Sequence, residues 1–305
     1  LDAPEWLPGE RSSTNPYGRI KELAVIRFLT LAILLSILQT GLAQEEAQNG
    51  RNGGIDEDAF RRLHELRGDE APPLKGKEID IGIAKGYLSL PATPGDTRSA
   101  ILVFHEWWGL NDHIKHWADR LAADGHIAVA VDLYGGQVGT TPRDAQKLMR
   151  GVDEKIAARV IADALRFVRR DKRIRAERIG TIGWCFGGTW SLNAALADPG
   201  IDACVLYYGR IPTDPDKLAA IGAEVLAVFG KEDPSIPIQQ IDAFRAGLKK
   251  AKVKHEVHIY PAGHAFANPS SRRYVAEAAT AAWKEVRRFL SAKLQPKPET
   301  EKSGS

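Results

Sequence analysis

Gly183-Trp184-Cys185-Phe186-Gly187-Gly188 follows the apolar run Arg178–Ile182 and opens a helix-length segment, so a lone cysteine sits where a buried strand turns abruptly into a helix. Such a turn throws its central side chain into the open at the carboxyl edge of a sheet. Strand and helix backbones nearly touch there, which demands small neighbours, and Gly183, Gly187 and Gly188 supply them. Two more polar sites follow in order: Asp233 in Gly230-Lys-Glu-Asp-Pro after an apolar run, then His264 in Pro261-Ala-Gly-His. A free cysteine is by default a small buried hydrophobe. The three sites together favour a nucleophile instead.

Nucleophile, acid, histidine is the chain order of α/β-hydrolases. Around the elbow, apolar runs alternate with helix-length segments: Ile79–Ile83, Tyr87–Leu90, Ala100–Phe104, Ile127–Val131, Arg178–Ile182, Ala203–Tyr208, Glu224–Phe229 and Lys254–Ile259. The alternation predicts an α/β fold with a mostly parallel sheet covered by helices on both faces. The first two runs, joined through Ala84-Lys-Gly86, are expected to form an antiparallel edge hairpin. Lys155–Arg169 and Arg272–Leu290 repeat apolar residues at three- and four-residue intervals and are read as covering helices. The catalytic domain is placed at 75–293. Before it come an extension, 1–43, and a polar linker, 44–74, with a short amphipathic stretch at Phe60, Leu63 and Leu66; after it comes a polar, Pro-interrupted tail, 294–305, read as disordered.

The chemistry follows from the residue types. A thiol attacks a carbonyl only as thiolate, so Cys185 needs a base or a positive neighbour; the helix that starts beyond it supplies part of this, and His264 the rest. Asp233 orients the imidazole and stabilises its protonated form, with Glu232 as the runner-up acid. The bland readings are a turn residue before Pro234 and a loop histidine after Gly263. The oxyanion of a tetrahedral intermediate needs two backbone N–H donors, and Phe186 and Trp107 occupy the right positions. Their side chains, with Trp108, Trp184 and Tyr208, are candidates for an aromatic-walled pocket, against the commoner reading of plain core. His105-Glu106 begins like a zinc-binding His-Glu-x-x-His, but position 109 is glycine. His113 and His116, at helical spacing without a third partner, read as solvated helix residues rather than ligands. No metal and no cofactor is expected.

At these residues the chain resembles the dienelactone hydrolase family, cysteine hydrolases of α/β-hydrolase fold that open an unsaturated lactone. The likeness is carried by Phe104-His-Glu-Trp-Trp-Gly-Leu-Asn111, Asp132-Leu-Tyr134, Gly183-Trp-Cys-Phe-Gly-Gly188, and Gly230-Lys-Glu-Asp-Pro-Ser-Ile-Pro237 with Ala262-Gly-His-Ala-Phe-Ala267. It implies a role for Glu106: the matching family glutamate contacts the resting cysteine and takes its proton when substrate arrives. It also exposes a departure, because the family grips a substrate carboxylate with arginines, one of them four residues after the catalytic histidine. Here that residue is Asn268. Arg143 is the candidate for the second arginine, against the reading of a surface residue.

Lysine and arginine number 42 and aspartate and glutamate 39, and the net charge of +3 gives no pull toward nucleic acid or acidic membranes. The basic run Arg169–Arg175 reads as a helix end, where cations suit the dipole. Near the amino end, Arg19, Lys21 and Arg27 precede the apolar run Phe28–Leu38, and Gly41-Leu42-Ala43 offers small residues for cleavage. That is a signal-peptide layout and predicts export, or a membrane tether if the segment stays uncleaved. The missing initiator Met and the character of the residues before Arg19 point to a misplaced start or an upstream fragment. Cys204, near the start of its own strand, is read as a buried core thiol out of disulfide reach of Cys185. The expected partner is a small ester or lactone, with no nucleic acid and no stable protein partner. The chain thus reads as an exported, cofactor-independent cysteine hydrolase of lactones or activated esters, working through a thioester acyl-enzyme. The alternatives are a general carboxylesterase or thioesterase on the same residues, and a catalytically silent envelope-binding protein.

Overall fold

The structure, a computed structural model, describes residues 73–92 and 98–295. The targeting run Phe28–Leu38, the amphipathic stretch at Phe60, Leu63 and Leu66, and the tail from residue 296 lie outside the described residues.

Among the described residues, eight strands form one sheet in the order β1-β2-β4-β3-β5-β6-β7-β8. They are β1 (Lys77–Ile81), β2 (Ala84–Ser89), β3 (Ser99–Phe104), β4 (Ile127–Val131), β5 (Arg178–Trp184), β6 (Ala203–Tyr207), β7 (Glu224–Gly230) and β8 (His255–Tyr260). β2 runs antiparallel to β1 and β4, and every other pairing is parallel. Helices α1 (Asp112–Ala123), α2 (Pro142–Arg150), α3 (Glu154–Arg170), α4 (Phe186–Ala197), α5 (Pro215–Leu218), α6 (Ile238–Lys250) and α7 (Ala276–Lys293) join and cover the strands. This is the α/β-hydrolase architecture. β3 and β6 are buried along their whole length, as parallel strands covered on both faces must be, and so they read as unbroken apolar runs.

The strand order places the site. From β3 the chain steps to β4 on one side and then returns to β5 on the other. The carboxyl ends of β3 and β5 therefore flank the crevice where connections leave in opposite directions, the place where open α/β sheets bind ligands. Phe104 is in register with Gly183. Glu106 and Cys185, each two residues further on, consequently emerge side by side.

Several boundaries differ from the sequence reading. The hairpin turns at Gly82-Ile83, with Ile81 paired to Ala84, because Gly82 adopts a φ of 56° that favours glycine. The last helix begins at Ala276 rather than Arg272: the Tyr274 and Val275 N–H groups are spent on the Ser271 and Phe266 carbonyls, which holds the segment in turns. Leu74 packs on the core and Leu294 is buried, so both belong to the domain whose limits were drawn just inside them. α3 starts after Asp153, whose side chain accepts from the Lys155 and Ile156 N–H groups, and ends at Arg170 within the basic run. Cys204 is buried and in register with Thr181, four residues before Cys185, and both cysteines are free thiols.

Candidate active site

The elbow is built by close backbone approach. A Cβ on Gly183 would lie 2.2 Å from the Gly187 carbonyl oxygen, one on Gly187 2.2 Å from that of Phe104, and one on Gly188 2.5 Å from that of Tyr207. Only glycine permits these contacts. Between them Cys185 takes φ 55° and ψ −116°, a conformation that costs a side-chain-bearing residue about 1–3 kcal/mol and is kept because its surroundings leave no alternative. Its N–H donates to the Tyr207 carbonyl at 3.0 Å. Tyr208, with φ 36°, and Ala265, with φ 62°, are strained in the same sense. Both border the site.

Sγ of Cys185 lies 3.1 Å from Nε2 of His264, and Nδ1 of His264 lies 2.6 Å from Oδ2 of Asp233. The loops after β7 and β8 bring the last two together: the Glu232 N–H donates to the Ala262 carbonyl at 3.0 Å, and Gly230 leaves no room for a side chain against the same carbonyl. Asp233 is buried and its other oxygen accepts from the Ser235 N–H at 2.8 Å, whereas Glu232 is exposed. The runner-up acid is thus turned away. Burial pulls the His264 imidazole down, but its hydrogen bonds to Asp233 and Cys185 and the charge of an ionised Cys185 outweigh it and raise the pKa to about 10. Burial also opposes ionisation of Asp233, yet the same histidine and the Ser235 N–H hold it below the usual carboxylate range.

Glu106 is only 6% exposed. Burial raises its pKa to about 7, against smaller downward pulls from His264 and from the side chain of Asn268. Cys185 is hydrogen-bonded to His264 and not to Glu106, so the family-implied contact between glutamate and resting cysteine is not the one found here. The partner of Glu106 is Asn268, whose Nδ2 donates to Oε2 at 2.5 Å. Asn268 is itself 8% exposed, so its amide is committed to Glu106 rather than open to substrate.

The N–H groups of Trp107 and Phe186, on the loop after β3 and in the first turn of α4, are engaged by no other group among the described residues. The Trp107 and Trp108 rings meet edge to face at 5.0 Å and are partly exposed. Tyr208 is fully buried with its ring 5.0 Å from that of His264. Trp184 is no pocket wall: its ring stacks on Trp117 at 4.4 Å within the core. Arg143 is exposed in the first turn of α2 and forms no hydrogen bond with the site.

Three groups at the site were passed over or undervalued in the sequence. His113, read as a solvated helix residue, has Nε2 2.9 Å from Oδ1 of Asn268, and His116 is buried. His105 donates from Nδ1 to the Glu106 carbonyl at 2.6 Å and accepts at Nε2 from the Leu133 N–H at 3.1 Å, stapling the loops after β3 and β4. Tyr134, held by Asp132 through a 2.8 Å bond to its N–H, packs against His105 and Phe186, and an ionised Cys185 adds to the burial that raises its hydroxyl pKa. His105 and Tyr134 lie in segments that carry the family likeness, but spacing gives no role to them or to His113, because each reaches the site from a different element.

Comparison with known proteins shows the family. Residues 84–294 match the family described as "Dienelactone hydrolase family". A Synechocystis protein named "Putative carboxymethylenebutenolidase" is 30% identical over 69% of this chain and 92% of its own. A Bradyrhizobium protein named "Probable 2-oxo-3-(5-oxofuran-2-ylidene)propanoate lactonase" is 30% identical over 70% of this chain and 92% of its own. Among solved structures, a dienelactone hydrolase-like promiscuous phosphotriesterase from metagenomic libraries superposes with a TM-score of 0.64 at 25% identity, covering 72% of this chain and 97% of its own.

Proposed function

The chain belongs to the dienelactone hydrolase family and is a hydrolase of ester or lactone bonds, and on that premise we propose that it works by covalent catalysis at Cys185 on uncharged lactones or activated esters. One observation carries the proposal: the unbroken hydrogen-bonded chain from Cys185 through His264 to Asp233 at a strained elbow.

In the proposed cycle the Cys185 thiolate adds to the substrate carbonyl carbon. The oxyanion that forms accepts from the Trp107 and Phe186 N–H groups, an arrangement typically worth about 3–4 kcal/mol per donor in the transition state. As the intermediate collapses, the carbon–oxygen bond of the ester breaks, His264 gives its proton to the departing alkoxide, and a thioester remains on Cys185. His264 then takes a proton from water, the hydroxide adds to the thioester, and collapse releases the acid and restores the thiolate. Asp233 holds the imidazole in the tautomer that points Nε2 at sulfur. Glu106, poised near neutrality, is the acceptor for the thiol proton when the side chain turns away from His264.

The preference for uncharged substrates rests on position 268. Asparagine lacks the permanent charge and bidentate fork with which arginine grips a carboxylate, and here its amide is already taken by Glu106. We also propose export, from the basic and apolar pattern of residues 19–43. Amino-terminal mass spectrometry of the cell-envelope fraction, with a start at or near Gln44 expected, tests it.

A hydrolysis screen of lactones, aryl esters and thioesters against wild type and Cys185→Ala in parallel tests the main reading. Turnover of lactones or aryl esters that vanishes in the variant supports it. Equal turnover by a folded Cys185→Ala variant refutes it.

A further inference from the structure

Glu106 is held by a chain of hydrogen bonds that begins at the surface. The Ser270 hydroxyl lies 3.1 Å from Nδ1 of His113, and Nε2 of His113 lies 2.9 Å from Oδ1 of Asn268. Oδ1 also accepts from the Ser270 N–H at 2.9 Å, and the amide nitrogen of Asn268 donates to Glu106. The directions are forced. A backbone N–H can only donate, so the face of Asn268 turned to Ser270 and His113 must be its oxygen, and the face turned to Glu106 its NH2. Nε2 of His113 must then carry the ring proton, which leaves Nδ1 to accept from the Ser270 hydroxyl. Every donor points toward the carboxylate.

We infer that His113 is a positioning residue for the reaction: by locking the Asn268 amide from behind, it aims that amide's N–H at Glu106 and keeps the carboxylate fixed and selectively stabilised in its ionised form. A neutral imidazole suits the task because it adds no charge beside the glutamate. Burial holds the His113 pKa down, to about 4, with the Asn268 oxygen opposing and His116 on the same helix adding to the effect. The titratable groups facing Glu106 are His264 from the loop after β8 and Tyr208 from the end of β6, with Cys185 near the same tyrosine. An arginine at position 268 would keep the carboxylate ionised by its charge. The neutral relay instead leaves Glu106 able to exchange a proton near pH 7.

The inference rests on the reading of Cys185 as nucleophile and Glu106 as acceptor of its proton, and the test separates the two. In a Cys204→Ser background, so that Cys185 is the sole thiol, the rate of alkylation by iodoacetamide is followed against pH for His113 intact, His113→Phe and His113→Gln, with kcat/KM for an aryl ester and thermal melting alongside. With His113 intact an inflection is expected near pH 7. His113→Phe removes the N–H, frees the amide to turn, and moves that inflection upward by about half a unit to one unit. His113→Gln, whose amide N–H reaches the place of Nε2–H, returns it. An inflection that stays put in His113→Phe, or that moves as far in His113→Gln, overturns the inference. If His113→Phe does not melt cooperatively, Ser270→Ala carries the same test from the surface end, with a smaller upward displacement supporting the relay and none overturning it. Absence of any inflection with His113 intact removes the Glu106 reading and this inference with it.

Discussion

Nε2 of His264 and Sγ of Cys185 meet at 3.1 Å although 79 positions separate them in the chain. The histidine is biased toward its protonated form, with a pKa raised to about 10 because Asp233 and Cys185 outweigh burial, which sets a cation beside the sulfur. Cys185→Ala or His264→Ala should lower kcat/KM by at least ~10³-fold, about 4 kcal/mol of transition-state stabilisation, while melting temperatures stay near wild type. Cys204→Ser should retain activity, since that thiol is buried and its pKa pushed up to about 11. Steady-state kinetics on the purified variants decide.

Glu106 imposes a pH dependence on stability whose sign follows from its raised pKa. Between the ordinary carboxylate value of 4.5 and about 7 the folded state holds a proton that the unfolded state has lost, so stability present below 4.5 drains away as pH rises through 7. The loss is bounded at roughly 3 kcal/mol. Glu106→Gln removes the titration and should gain in melting temperature relative to wild type at pH 8 compared with pH 4.5, while turnover falls. Calorimetry at the two pH values checks it; a difference between the proteins that is the same at both would return Glu106 to an ordinary carboxylate.

The elbow glycines should be intolerant in proportion to backbone proximity. Gly187→Ala drives a methyl to 2.2 Å from the Phe104 carbonyl, where no side chain can yield. A loss of about 3 kcal/mol or more, or failure to fold, is expected. Gly263→Ala, beside His264 but with its nearest contact at 3.9 Å, should cost under about 1 kcal/mol. Denaturant titration of both variants is the comparison.

Substrate charge should follow residue 268. Asn268→Arg places a guanidinium against Glu106 and offers a fork to a carboxylate, and the kcat/KM ratio of carboxylated dienelactone to its uncharged ester should rise at least ~10-fold. A wild-type enzyme that strongly prefers the carboxylated substrate would refute the neutral-substrate proposal.

Much of this protein is legible along the chain. Contiguous signals sufficed wherever one segment both states and satisfies its own constraint: Gly183-Trp-Cys-Phe-Gly-Gly188 demands a tight strand-to-helix turn, and the buried run Ala100–Phe104 demands a parallel sheet covered on both faces. The order Cys185, Asp233, His264 was likewise written in the sequence. Tertiary structure alone decided the rest. It turned Asp233 inward and Glu232 out, packed Trp184 into the core, closed the Asn268 amide onto Glu106, and drew His113 from α1 into the chain of hydrogen bonds behind it. Hydrogen bonds depend on angstrom-scale placement of atoms from segments far apart in sequence, and no local periodicity encodes that placement. It emerges only when the order of strands brings the carboxyl ends of β3 and β5 together beside the loop after β8.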